Sequence, residues 1–192
     1  MIGHHGMDPR GIILRHTKAI ADILTQARVA LSVYIACLGI WRGREALPHT
    51  VVAVITSWIT DLLDGPLARR DPDRRQTWVG EHDAEADLAT SVGLSVYLVF
   101  SGYVAAWLGI GLLLLTLGLW VTHSYQLAWP FYALPYAMLT MIAFRTIPLL
   151  GWALLLYLMG VLLLRWRRLK DQYLPEFFDA LRAWRISRWH RD

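Results

Sequence analysis

Four aspartates of this 192-residue chain fall in one stretch at spacings that suit chemistry. Asp61 and Asp64 are three apart, Asp83 and Asp87 four apart, so on helices each pair projects from one face. Carboxylate oxygens without cysteine or clustered histidine suit hard cations, Mg²⁺ or Mn²⁺. Four converging carboxylates need such cations to remain ionised together. Two cations about 4 Å apart stabilise the entering and leaving oxygens of a phosphoryl displacement. Gly65 lets a ligand approach the backbone, and Arg69, Arg70, Arg74 and Arg75 supply forked donors for phosphate. The residues point to metal-dependent phosphoryl or nucleotidyl chemistry and leave the substrate open.

The elements that must position these groups are apolar. Hydrophobic residues make up 56% of the chain and the mean hydropathy is +0.38, above an ordinary soluble domain. The expected fold class is an all-α integral membrane protein, one domain over 1–192 with six transmembrane helices. These fall at 20–41, 48–68, 83–103, 105–121, 127–144 and 147–166. An N-terminal interfacial segment (1–19) precedes the core (20–166), and a basic amphipathic tail (167–192) follows it, with Phe177, Phe178, Leu181, Trp184 and Ile186 for the membrane surface. Asp61 and Asp64 sit where the second helix leaves the bilayer. Gly65-Pro66 is a place for a kink, and Ser101-Gly102 marks a tight turn. Glu85, between the second carboxylate pair, is expected to face away from it.

Charge sets the orientation. The net charge of +4 sits on residues flanking apolar segments, which reads as topology and contact with anionic lipid rather than nucleic acid. Three basic groups fall on one side of a six-span chain: Arg10, Arg15 and Lys18; Arg69 to Arg75; and Arg165, Arg167, Arg168 and Lys170. The other side receives Arg42, Arg44 and Arg145. Both termini and the four aspartates are therefore expected in the cytoplasm. Trp41, Trp107, Trp120, Trp129 and Trp166 suit an aromatic belt. The single cysteine, Cys37, excludes an intrachain disulfide.

The stretch Asp61-Leu-Leu-Asp64-Gly65-Pro-Leu-Ala68-Arg69, followed by Asp83-x-x-x-Asp87, resembles the signature of the CDP-alcohol phosphatidyltransferases. That signature reads D-x-x-D-G-x-x-A-R, then G-x-x-x-D-x-x-x-D. The first half matches in full. In the second, Gly80 stands three residues before Asp83 instead of four, and Val79 takes the family's glycine position. Asp22-Ile-Leu-Thr25-x-x-Arg28 resembles the family's first helix, Asn-x-x-Thr-x-x-Arg; Arg28 otherwise reads as a side chain snorkelling to the headgroups.

The resemblance implies transfer of a phosphatidyl group from CDP-diacylglycerol to an alcohol, with release of CMP. It implies that Asp61, Asp64 and Asp83 bind two divalent cations, and that Asp87 is the general base and touches the second. It implies a nucleotide site at Thr25, Gly65, Ala68, Arg69 and Gly80, and a homodimer in membrane lipid; a bacterial inner membrane is the expected location. The expected acceptor is glycerol-3-phosphate, its phosphate on Arg70, Arg74, Arg75 or Arg145. Leu88 stands where relatives with phosphorylated acceptors carry lysine, so serine and inositol phosphate are alternatives. A non-catalytic lipid-binding relative is a second reading. A cation pathway is a third, which would distribute its carboxylates across the membrane rather than cluster them.

Overall fold

The computed structural model describes residues 9–68, 83–121, 125–164, 166, 170–171 and 174–175. They form an all-α fold: α1 (Pro9–Arg42), a 3₁₀ turn (Gly43–Ala46), α2 (Leu47–Ala68), α3 (Asp83–Phe100), α4 (Ala106–Val121), α5 (Tyr125–Thr146) and α6 (Pro148–Leu164). No strand occurs among the described residues. Prolines open α1 and α6, where the missing N–H has no helical partner to lose. Gly43, at φ +58°, ends α1 in the left-handed conformation that favours glycine. α1 runs without a break from Pro9, joining the segment expected at the interface to the first apolar stretch. α2 continues through Gly65-Pro66 to Ala68.

Against the six spans expected from the sequence, one helical stretch among the described residues, Ala19–Leu63, is long and apolar enough to cross a membrane, with an 18-residue window of mean hydropathy 1.7. Ala106–Gly118 and Pro148–Leu164 are shorter apolar helices.

α1, α2 and α3 form the centre, with α1 packed most extensively on α3 and α2. The inward face of α1 reads Ala21, Thr25, Arg28, Ser32, Ile35 and Leu38, all buried, at the three- and four-residue spacing of one helix face. Ile35 and Leu38 join Val51, Val54, Leu94, Tyr97 and Leu98 in a core that Leu139 and Ala143 of α5 and Leu154 of α6 complete. At one end Arg44 clamps the two turns together. Its Nη2 donates to the Gly102 carbonyl at 2.7 Å and its Nε to the Ser101 carbonyl at 3.3 Å. Its guanidinium lies 5.2 Å from the Tyr103 ring centroid.

The close approach of α1 and α3 needs two glycines. A Cβ at Gly93 would fall onto the Ser32 carbonyl oxygen, and one at Gly39 would lie 2.6 Å from the Tyr97 Cα. Both obstacles are backbone, which cannot rotate away. Gly93→Ala is expected to cost about 1–3 kcal/mol of stability through overpacking, read as a lower Tm in detergent. Gly111→Ala and Gly160→Ala, where a Cβ meets open space, should leave Tm unchanged or raised.

Candidate active site

At the end of the bundle away from Arg44, three charged side chains meet from three helices. Arg28 of α1 donates from Nη1 to Oδ1 of Asp87 on α3 at 2.7 Å, and the same nitrogen lies 3.4 Å from Oδ1 of Asp61 on α2. The shorter distance is that of a charge-assisted hydrogen bond. Arg28 is 1% exposed, Asp61 28% and Asp87 57%, so the cation sits inside and the carboxylates form the rim. A buried guanidinium is costly unless paired and hydrogen-bonded, and the two carboxylates provide that pairing.

One turn deeper lies a node of hydroxyls. Ser32 Oγ and Thr90 Oγ1 are 3.0 Å apart, and Ser57 Oγ is 3.4 Å from Thr90 Oγ1. Ser32 also donates to the Arg28 carbonyl at 2.8 Å, and Thr90 to the Ala86 carbonyl at 3.0 Å. Each helix thus presents a charged residue and a hydroxyl one turn apart: Arg28 and Ser32, Asp61 and Ser57, Asp87 and Thr90. Three helices in register at two levels hold the carboxylates in place. Thr25, buried one turn before Arg28, bonds the Ala21 carbonyl at 3.3 Å.

An aromatic wall flanks this arrangement. Trp58, one turn before Asp61, packs against Tyr136 of α5 at 5.0 Å and stacks on Tyr157 of α6 at 5.3 Å between ring centroids. Ser91 Oγ donates to the Tyr132 carbonyl at 3.2 Å, tying α5 to α3.

The sequence-derived site residues separate into three groups. Asp61 and Asp87 are brought together, with Thr25 nearby on α1. Asp64, Gly65 and Ala68 follow Asp61 on α2, and Asp83 opens α3 one turn before Asp87; their side chains lie outside the described residues, as do Arg69, Arg70, Arg74, Arg75 and Gly80 altogether. Arg145 is not brought to the carboxylates. It lies in the last turn of α5, thirteen residues beyond Tyr132, about 20 Å farther along the helix at 1.5 Å per residue.

The structure decides between the two readings of Arg28 and adds a detail at Glu85. Arg28 does not snorkel outward but turns into the bundle, because two carboxylates compete successfully with the headgroups for it. Glu85 is half-buried, with Oε2 shielded from solvent and no hydrogen-bond partner among the described residues. The sequence reading missed the hydroxyl node and the aromatic wall. The node's signal was present as serines and threonines recurring at helical spacing within apolar segments.

Among the described residues no group of three or more His, Cys, Asp or Glu side chains converges. Asp61 and Asp87 nevertheless offer hard oxygens from two helices around one positive charge, a donor chemistry that fits Mg²⁺ or Mn²⁺. No family model, curated protein or solved structure matches this chain.

The two carboxylates should respond differently to neutralisation. Asp87→Asn removes the charge from the shorter bond and is expected to cost about 1–2 kcal/mol in thermal unfolding in detergent, reduced by its exposure. Asp61→Asn removes the longer contact but relieves repulsion between two acids sharing one cation, and should change stability by less than about 0.5 kcal/mol.

Proposed function

We propose that this chain is a multi-pass membrane transferase of the CDP-alcohol type, moving a phosphatidyl group from CDP-diacylglycerol to an alcohol with release of CMP. The observation that carries the reading is the meeting of Asp61 and Asp87, distant in sequence, on one guanidinium at the exposed end of a helical bundle. They occupy the first and last aspartate positions of the motif. The outer surface supports a membrane setting. Trp41 and Leu164 are each 80% exposed, and Trp107, Leu114, Val121 and Leu149 are also exposed. So much apolar surface needs a cover, and a bilayer supplies it. With the arginine-rich segment 69–75 joining the carboxylate end, the positive-inside rule puts that end in the cytoplasm.

In this mechanism Asp87 takes the proton of the acceptor hydroxyl. The resulting oxygen attacks the phosphorus bonded to diacylglycerol, the bond from that phosphorus to the bridging oxygen breaks, and CMP leaves with the electron pair. Asp61, Asp64 and Asp83 would hold Mg²⁺ or Mn²⁺, which supplies charge neutralisation to the diphosphate when bound. Arg69 contributes a forked donor to a phosphate. Gly65, Ala68 and Gly80 leave room for the nucleotide, and Thr25 faces its far end from α1. Arg70, Arg74 and Arg75 are the acceptor-phosphate candidates in a glycerol-3-phosphate reading. Leu88 favours a second acceptor. It is 8% exposed, so the residue after Asp87 faces the core and offers a substrate phosphate nothing; this suits serine.

Purified protein with CDP-diacylglycerol and Mg²⁺ or Mn²⁺ is expected to release CMP when glycerol-3-phosphate, serine or inositol phosphate is added separately. Asp83→Asn should reduce the rate by at least about a hundredfold. Release with none of the acceptors, and no binding of the lipid nucleotide, would sink the assignment.

A further inference from the structure

We infer that Arg28 is a built-in counter-ion for the site. It neutralises Asp61 and Asp87 before any metal arrives, so a divalent cation binds against the guanidinium's charge rather than by filling a bare acidic cup. The inference rests on the metal-dependent reading above.

Three observations carry it. First, one nitrogen of Arg28 serves both carboxylates, at 2.7 Å and 3.4 Å. A positive charge so placed takes up the same oxygens that a cation would use. Second, the guanidinium approaches from within. The side chain is buried at 1% exposure while its acceptors are open to solvent, so a cation can reach the carboxylates from outside without Arg28 leaving the bundle. Third, the residue is held at its root. Its carbonyl accepts from Ser32, which also meets Thr90, and α1 packs on both carboxylate-bearing helices. An arginine held in this way is a fixed feature of the site rather than a passing contact.

Two consequences follow. The bundle assembles without metal, because its acidic end already carries a compensating charge. Cation affinity is also held down, since an incoming ion meets a charge of like sign a few ångströms from its ligands. A weakly held ion is suited to a site where it must also engage a diphosphate substrate.

The test uses the full chain in detergent micelles, with Mn²⁺ as the probe, and reads free Mn²⁺ by electron paramagnetic resonance and Tm with and without chelator. Arg28→Gln is expected to bind Mn²⁺ at least about tenfold more tightly than the unmodified protein. Its Tm should fall by several degrees in chelator and recover when Mn²⁺ is added, while the unmodified protein's Tm should change little. Arg28→Lys keeps the charge but cannot fork, and should bind with intermediate affinity. It decides the matter alone if Arg28→Gln does not fold. Equal or weaker Mn²⁺ binding by the variants, with saturable binding by the unmodified protein, overturns the counter-ion role and leaves the transferase reading intact. No saturable binding by any of the three overturns both.

Discussion

An arginine buried within an apolar helix constrains everything around it. Arg28 cannot be left in the interior unpaired, because the desolvation cost is several kcal/mol. α2 and α3 must therefore bring acids to its level, and doing so sets the register of three helices. One turn below, Ser32, Ser57 and Thr90 meet in the order that this register dictates. Further down, Gly39 and Gly93 allow α1 and α3 to approach to backbone contact, and the apolar core fills the space between. Arg44 closes the far end by binding the carbonyls of the α3–α4 turn. The ion bridge and the packing are mutually dependent: close helices keep the guanidinium dry, and its acids keep the helices aligned.

The same arrangement separates a rigid part from an accessible one. The hydroxyl node and the core beneath it are buried, whereas Asp87 is more than half exposed. A carboxylate supported from below and open above is suited to receive a substrate proton. The stacked Trp58 and Tyr157, with Tyr136, give one side of this mouth an aromatic wall. In the proposed transferase, the apolar outer surface would place that mouth at the level where a lipid headgroup meets water.

Much of this was legible in the chain before its fold. Two of the four spaced aspartates, Asp61 and Asp87, converge, and the helix limits follow the apolar segments closely: 48–68 expected against Leu47–Ala68, and 105–121 against Ala106–Val121. The direction of Arg28 was not legible. Near the end of an apolar helix, an arginine reads equally as a headgroup anchor or an internal ion, and the choice depends on which carboxylates neighbouring helices bring. The early start of α1 was hidden because residues 9–19 mix basic and apolar types without a clear apolar run. Arg145 was grouped with the site as an arginine available for phosphate although the span count already put it on the side opposite the aspartates, and the path of α5 carries it to the other end. Pairwise spacing within one helix survives in sequence; the level at which helices meet does not.

The direct test of this account is a double-mutant cycle between Arg28 and Asp87, comparing Arg28→Gln, Asp87→Asn and the double variant by reversible unfolding in detergent. If the ion bridge organises the bundle, the two changes are non-additive, with a coupling energy of about 1–2 kcal/mol and the double variant little worse than the poorer single one. Additive losses would mean that the two groups act independently, and that the meeting of α1, α2 and α3 at the carboxylates rests on something other than this charge pair.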